Sequence, residues 1–239
     1  MLSWIAAGTS QIGVATRVLG LPYRAPAVVA KMAETFNRLS GGRLILGLGA
    51  GASDEEFHAL GLEVRPPRDK IDGLDEAMRI IRGLWSEPSH TLEGRIYRTD
   101  HAVVEPKPEH PIPIWLGTFG ERALRLTGRQ ADGWIPSLEM APPERVPAMR
   151  DRILAGATEA GRRPDEITCV YNIVIRVDER GSPSEPFVVS GSPGAVAEQL
   201  LGFVELGFAA FNFILSGPDT REQMERLSRD VVPLVRARD

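Results

Sequence analysis

Short apolar runs alternate along this chain with longer amphipathic stripes, and the two rhythms predict strands and helices in turn. Residues 2–10 read as the last turns of a helix. Residues 12–20 mix β-branched and small side chains, a strand that stops at Gly20 and Pro22. A helix is predicted over 25–39, with Val28, Val29, Met32, Phe36 and Leu39 on its apolar side. Residues 43–48 are apolar and bounded by glycines, the pattern of a strand buried on both faces. A long helix over 68–85 then sets Ile71, Leu74, Met78, Ile81 and Trp85 along one stripe.

Residues 86–110 break the rhythm with a proline-rich stretch that suggests a small hairpin excursion. The alternation then resumes: a strand at 113–117, a helix at 121–130, a strand at 132–136, a helix at 143–161 and a long strand at 167–177. A loop over 178–190 leads to Ser192 as N-cap and Pro193 as the first helical residue. That helix runs to about residue 206, before a strand at 208–215 and a last helix from about Thr220. No linker and no fixed-period repeat interrupts the series, which predicts one α/β domain over 1–239 with a parallel sheet of six strands. An open doubly wound sheet accommodates six. The glycine or polar breaks after nearly every strand suit instead the rim of a (β/α)8 barrel, which needs two more.

The series centres on Gly47, Gly49 and Gly51, set on alternate residues. In a strand that spacing strips one face of side chains, so that a flat ligand or another backbone can lie against it. Ser53 and Glu56 then form a capping box that starts a helix. The segment also satisfies the G-x-G-x-x-G/A dinucleotide pattern, but its context is wrong. About twenty residues on, where that fold places an acidic ribose ligand after a second strand, the chain begins an amphipathic helix.

Composition narrows the partners. The 239 residues are 43% hydrophobic and 25% charged, enough apolar material for a sizeable core. A net charge of −4 points to neither nucleic acid nor an anionic membrane. Cys169 is the single cysteine, which excludes an intramolecular disulfide and fits a reducing cytoplasm. No apolar run reaches the length of a membrane span, and the first residues lack a charged signal-peptide start. A Schiff-base lysine is missing from the strands, since Lys31, Lys70 and Lys107 fall on helices or in the excursion. His58, His90, His101 and His110 are scattered and form no metal set. Glu55 and Glu56 lie nearest the glycine corner, while Trp115 and Trp134 are candidates for a pocket wall or for core.

Several ordered motifs carry a resemblance: residues 40–51 around the glycines, Leu92-Glu-Gly-Arg-Ile-Tyr97, Pro113-Ile-Trp-Leu-Gly117, Ala131-Asp-Gly-Trp134 and the helix start at 190–193. Together they resemble the bacterial-luciferase-like oxidoreductase superfamily, and most of all its branch that uses the 5-deazaflavin coenzyme F-420. The resemblance implies a TIM (β/α)8-type barrel. It also implies two further N-terminal βα units, roughly sixty residues, ahead of the position of Met1, so that this chain reads as a barrel truncated to about six units. It implies coenzyme F-420, with FMN as the alternative, held at the C-terminal ends of the strands. The walls of that site would be Thr16, Arg17 and Val18, where a bulge with a non-prolyl cis peptide backs the ring. Gly49, Ala50 and Gly51 would be a second contact, and Gly117, Thr118 and Phe119 a third, with a phosphate near the Thr118 hydroxyl and the following helix N-terminus. Residues 191–192 are a second candidate for an anion. The implied activity is hydride transfer to or from a small organic substrate, in a homo-oligomer. The other expectation is a catalytically impaired barrel remnant that serves as a binding or oligomerisation module. No side chain stands out as the catalytic acid or base.

Overall fold

The computed structural model describes residues 1–178 and 185–237, and strands and helices alternate through them. The strands are β1 (Val14–Ala15), β2 (Leu19–Gly20), β3 (Leu44–Gly49), β4 (His90–Leu92), β5 (Thr99–Ala102), β6 (Ile114–Leu116), β7 (Gly133–Trp134), β8 (Thr168–Val177), β9 (Val188–Gly191) and β10 (Ala210–Leu215). β1, β3, β6, β7, β8 and β10 are neighbours in that order and every pair is parallel, the six-stranded sheet expected from the alternation. Among the described residues β1 and β10 are not paired with each other.

The strand expected over 12–20 is split in two. Val14 pairs with Leu44 and Leu19 with Leu48, so β1 and β2 follow one another along the same neighbour. Between them the Thr16 hydroxyl donates to the Gly47 carbonyl at 2.7 Å, and the Arg17–Val18 peptide is cis. A second difference lies at 178–190, expected as loop. Val188–Gly191 is strand β9, paired with Val174–Val177. Because Val174 and Ile175 also pair with β10, β9 lies along the opposite edge of β8. Residues 179–184 of that expected loop lie outside the described residues.

The helices are α1 (Leu2–Ala7), α2 (Pro26–Leu39), α3 (Asp54–Ala59), α4 (Pro67–Ser86), α5 (Glu121–Gln130), α6 (Val146–Glu159), α7 (Pro193–Glu205), α8 (Thr220–Arg226) and α9 (Val232–Arg236). The last predicted helix is interrupted by a π turn over Leu227–Val231. On α2 the apolar side differs from the expectation. Val29 is buried with Ala30 and Ala33, whereas Val28, Met32 and Leu39 are exposed, Leu39 at 83%. The buried face also takes two polar residues that are fully engaged. The Asn37 amide donates to His110 O and its oxygen accepts from Leu44 N. Burial alone would raise the Glu34 carboxyl, but hydrogen bonds from Arg38 and Lys31 outweigh it and hold the group below its ordinary value.

Two hydrophobic cores form behind the sheet. One joins β3 and β6 to α2 and α4 through Leu46, Leu48, Leu74, Met78 and Ile114. The other joins β7 and β8 to α6 and α7 through Trp134, Tyr171, Ile153 and Leu200. Helix α5 gives Leu126 to the first and Leu124 to the second. It also crosses α6 backbone to backbone, since a methyl group on Gly128 would overlap the Ile153 carbonyl and one on Gly156 the Arg125 carbonyl.

The excursion is the antiparallel pair β4–β5. It is fastened by Glu76 of α4, 6% exposed, whose carboxylate accepts from the backbone N–H groups of Arg95, Ile96 and Tyr97 at 2.7–2.9 Å. Gly94 leaves room for that approach, because a Cβ there would stand 2.7 Å from the Glu76 carboxyl carbon.

Candidate active site

All the main strands run the same way, so the loops after β3 and β6 open at one end of the sheet. Gly117 N donates to Leu48 O at 3.0 Å, which sets residues 49–51 beside residues 117–120. Residues 16–18 join them. A methyl group on Gly47 would overlap the Thr16 carbonyl oxygen, and a Cβ on Gly49 would lie 2.7 Å from Val18 Cγ2. A Cβ on Gly117 would stand 3.4 Å from Val18 Cγ1. The face that the glycines clear is therefore taken by another stretch of the same chain. Val18 sits in it and stays 38% exposed, so the open surface of this corner is an isopropyl group backed by glycines.

Gly51 has another tenant. Its φ of +91° suits glycine, and a Cβ there would come within 2.5 Å of the Phe57 ring. The Ser53 hydroxyl caps α3 as expected, accepting from Glu56 N at 3.2 Å. Burial, and then the Glu56 carboxylate beside it, push the Tyr23 phenol above its ordinary value. Ala50 packs at the margin of the first core.

The third expected wall divides. Phe119 packs against the second core. Thr118 is 3% exposed, and its hydroxyl lies 2.7 Å from the Thr127 hydroxyl inside α5. That hydroxyl is engaged inside the fold. The loop still ends at the N-terminus of α5, whose first-turn N–H groups have no intrahelical acceptor. Ser192 is accounted for as the N-cap of α7, accepting from Ala195 N.

Trp134 is core, fully buried and 5.8 Å from the Phe208 ring, with its indole N–H donating to Thr118 O. Trp115 is half-buried against Gly133. His58 and Glu55 are exposed on α3. Among the described residues no group of His, Cys, Asp or Glu is placed to hold a metal ion, and no helix is long and apolar enough to cross a membrane.

A polar patch inside the sheet went unnoticed in the sequence. Tyr171, Ile173, Ile175 and Val177 of β8 face the helices, so Asn172, Val174 and Arg176 face the other way. The Asn172 amide donates to Ile135 O at 3.2 Å, and Asn212 of β10 donates to Asn172 Oδ1 at 3.0 Å. Arg176, at the end of β8, pairs with Glu185 at 2.7 Å while its Nε is buried without a partner among the described residues. The period-two alternation of β8 was the available signal: the face away from the helices carries an amide and a guanidinium. The site can thus offer an apolar wall at Val18, amides at the head of α5 and a polar opposite side.

The model of the luciferase-like monooxygenase family matches residues 1–182. The F-420-dependent glucose-6-phosphate dehydrogenase of Kineococcus radiotolerans is 30% identical, over 98% of this chain and 81% of the relative. That of Nakamurella multipartita is 28% identical, over 99% and 81%. Among solved structures, an F-420-dependent secondary alcohol dehydrogenase in complex with an F-420–acetone adduct superposes with a TM-score of 0.87 at 20% identity, over 98% of this chain and 83% of that one. The coenzyme F-420-dependent tetrahydromethanopterin reductase of Methanopyrus kandleri gives 0.81 at 20% identity, over 97% and 86%. The fold is thus that of the luciferase-like TIM barrels.

Proposed function

The chain belongs to the luciferase-like monooxygenase family, and from that premise we propose that it is an oxidoreductase using coenzyme F-420 to move a hydride to or from a small organic substrate. The relatives that match along nearly the whole chain carry F-420 dependence in their names. The observation that carries the reading is the Val18 wall, seated on Gly47, Gly49 and Gly117 and open on its outer side.

These residues fit a flat coenzyme. Val18 offers an apolar surface for one face of a ring, and its glycine backing fixes where that surface lies. The deazaflavin, when bound, supplies the hydride-carrying carbon. Gly49, Ala50 and Gly51 shape the near edge, while residues 117–119 bring backbone N–H groups toward an anionic tail. Thr16 holds the wall through its bond to Gly47 O. Arg17 is exposed beside the wall and is suited to an anionic substituent. FMN has the same flat shape and phosphate and is the alternative coenzyme.

Residues 1–239 are read as one domain with an excursion at 86–110. Cys169 is buried and unpaired, which suits a reducing cytoplasm. A homo-oligomer is supported by the exposed apolar stripe of Val28, Met32 and Leu39 on α2. The second reading, a binding or oligomerisation module without catalysis, is favoured by the edges of β1 and β10, which have no strand neighbour among the described residues.

Fluorescence titration of the 239-residue chain with coenzyme F-420 and with FMN decides. F-420 should bind, and Val18→Ala should weaken it about tenfold, from the loss of roughly 1.6 kcal/mol of apolar contact. Tight FMN binding without F-420 binding would assign the other coenzyme. Failure of the folded chain to bind either would leave the module.

A further inference from the structure

At the N-terminal ends of the strands, opposite the glycine corner, a cavity of about 590 Å³ opens between the last turns of α4 and α5. Four arginines line it, Arg79, Arg82, Arg129 and Arg162, and only two carboxylates, Glu87 and Asp132. Arg79 is paired at 3.2 Å with Asp75 just outside the lining, so with that carboxylate counted the wall keeps an excess of one positive charge on a chain whose net charge is −4. Capping of a helix C-terminus accounts for part of this. Arg82 Nη2 donates to Gln130 O and to Asp132 Oδ2, and Arg162 Nη1 to the carbonyls of Gly128 and Ala131, all at 2.8–2.9 Å.

Capping leaves three things over. Arg82 and Arg162 each keep a second Nη and an Nε without a protein acceptor among the described residues. Arg129 is half-buried and has no ion pair or hydrogen bond there at all. His90 is 9% exposed, with Nδ1 2.9 Å from Glu87 and Nε2 buried without a partner among the described residues. Asp132 is committed to Arg82 and to Ile114 N, so it does not neutralise Arg129.

We propose that this cavity binds a small doubly charged oxyanion, a phosphate or a phosphate monoester. Planar guanidinium forks match such oxygens in pairs, and the Arg129 guanidinium with the spare N–H groups of Arg82 and Arg162 supplies the donors that a dianion takes. A cavity of this size accommodates a small metabolite. A neighbouring hollow of about 690 Å³ shares Arg82, Ser86 and Asp132 and is lined by Trp85 and Pro108, which gives an ester room for its organic part. The position is at the far end of the sheet from Val18 and Gly117, so the ligand is an effector or stabilising anion and does not compete with a coenzyme there.

Calorimetric titration of the purified chain at constant ionic strength tests this, with inorganic phosphate and phenyl phosphate as probes and chloride as the control. Saturable binding at one site per chain is expected, together with a melting temperature that climbs with the ligand. Arg129→Gln removes no bond of the fold, so its melting temperature without ligand should match the parent while its affinity falls about tenfold or more. If that variant does not fold, Arg129→Lys, which keeps the charge but loses the planar fork, provides the comparison and should likewise bind phosphate more weakly. Tighter binding of phenyl phosphate assigns a monoester, and equal or weaker binding assigns free phosphate. Binding that is not saturable, is unchanged by both substitutions, or is displaced by coenzyme F-420 would overturn the proposal.

Discussion

Gly47 shows how much of the site depends on single atoms. Its missing side chain is filled by the backbone oxygen of Thr16, which has no rotamer to escape into. Gly47→Ala should therefore cost about 1–3 kcal/mol, the usual range for overpacking, read as a lower midpoint in urea. Gly49→Ala meets the end of a side chain instead, Val18 Cγ2. It should cost less stability but displace the wall, seen as weakened coenzyme binding. Equal losses of stability in the two variants would contradict this account. The alternate glycines were legible because their spacing is local. What they receive was not, since Thr16 and Val18 reach them from a different strand. The partner of the Thr118 hydroxyl was hidden for a similar reason: Thr127 lies nine residues further on, and nothing at residues 117–120 announces it.

At the scale of elements, the hairpin excursion hangs on one buried carboxylate and a surface network. Glu76→Gln keeps the shape but sets an amide NH2 against backbone N–H groups, leaving at least one buried donor unpaired. A loss of about 1–3 kcal/mol is expected, with faster amide exchange at residues 95–97. Unchanged exchange there would show that other contacts hold the hairpin. Around it, the hydrogen bond from Arg95, helped by Arg122, outweighs burial and holds the Asp72 carboxyl below its ordinary value. Arg95 does the same for Asp69. A group whose folded value is lowered stabilises the fold fully above the unfolded value, roughly 3.9 for aspartate, and loses that contribution as pH falls through the folded one. The stability gap between the parent and Asp72→Asn should thus be constant near neutrality and close in acid below about pH 4. A gap that persists in acid would exclude the ion pairs as its cause. The motif at 92–97 was readable as a family mark, yet its anchor lies some twenty residues earlier on α4, so the sequence pattern alone did not reveal why it is there. Helix limits were legible where chemistry is local, as at Ser53 and Ser192. β9 was not, because two valines beside a proline-rich stretch give too short a signal.

For the whole molecule, the chain-order sheet leaves the outer edges of β1 and β10 without a strand neighbour among the described residues. Open edges recruit partners, so sedimentation of the 239-residue chain should show concentration-dependent association. A species that stays monomeric up to high concentration would show that the edges are otherwise protected. The sequence conveyed this architecture well because strand–helix alternation is written in every segment, whereas the polar side of β8 and the arginine cavity arise only when distant segments meet. The division into two cores has a kinetic consequence. Their sheet boundary is the short β6–β7 ladder, Trp115 opposite Gly133 and Leu116 opposite Trp134, spanned on the outside by α5. Cooperative units of a protein commonly follow such boundaries. Native-state hydrogen exchange should then resolve two subglobal openings, one covering β3, α2 and α4 and the other β8, α6 and α7. The amides of α5 should exchange only with the more stable of the two, which makes that helix the clasp whose release commits the molecule to unfolding.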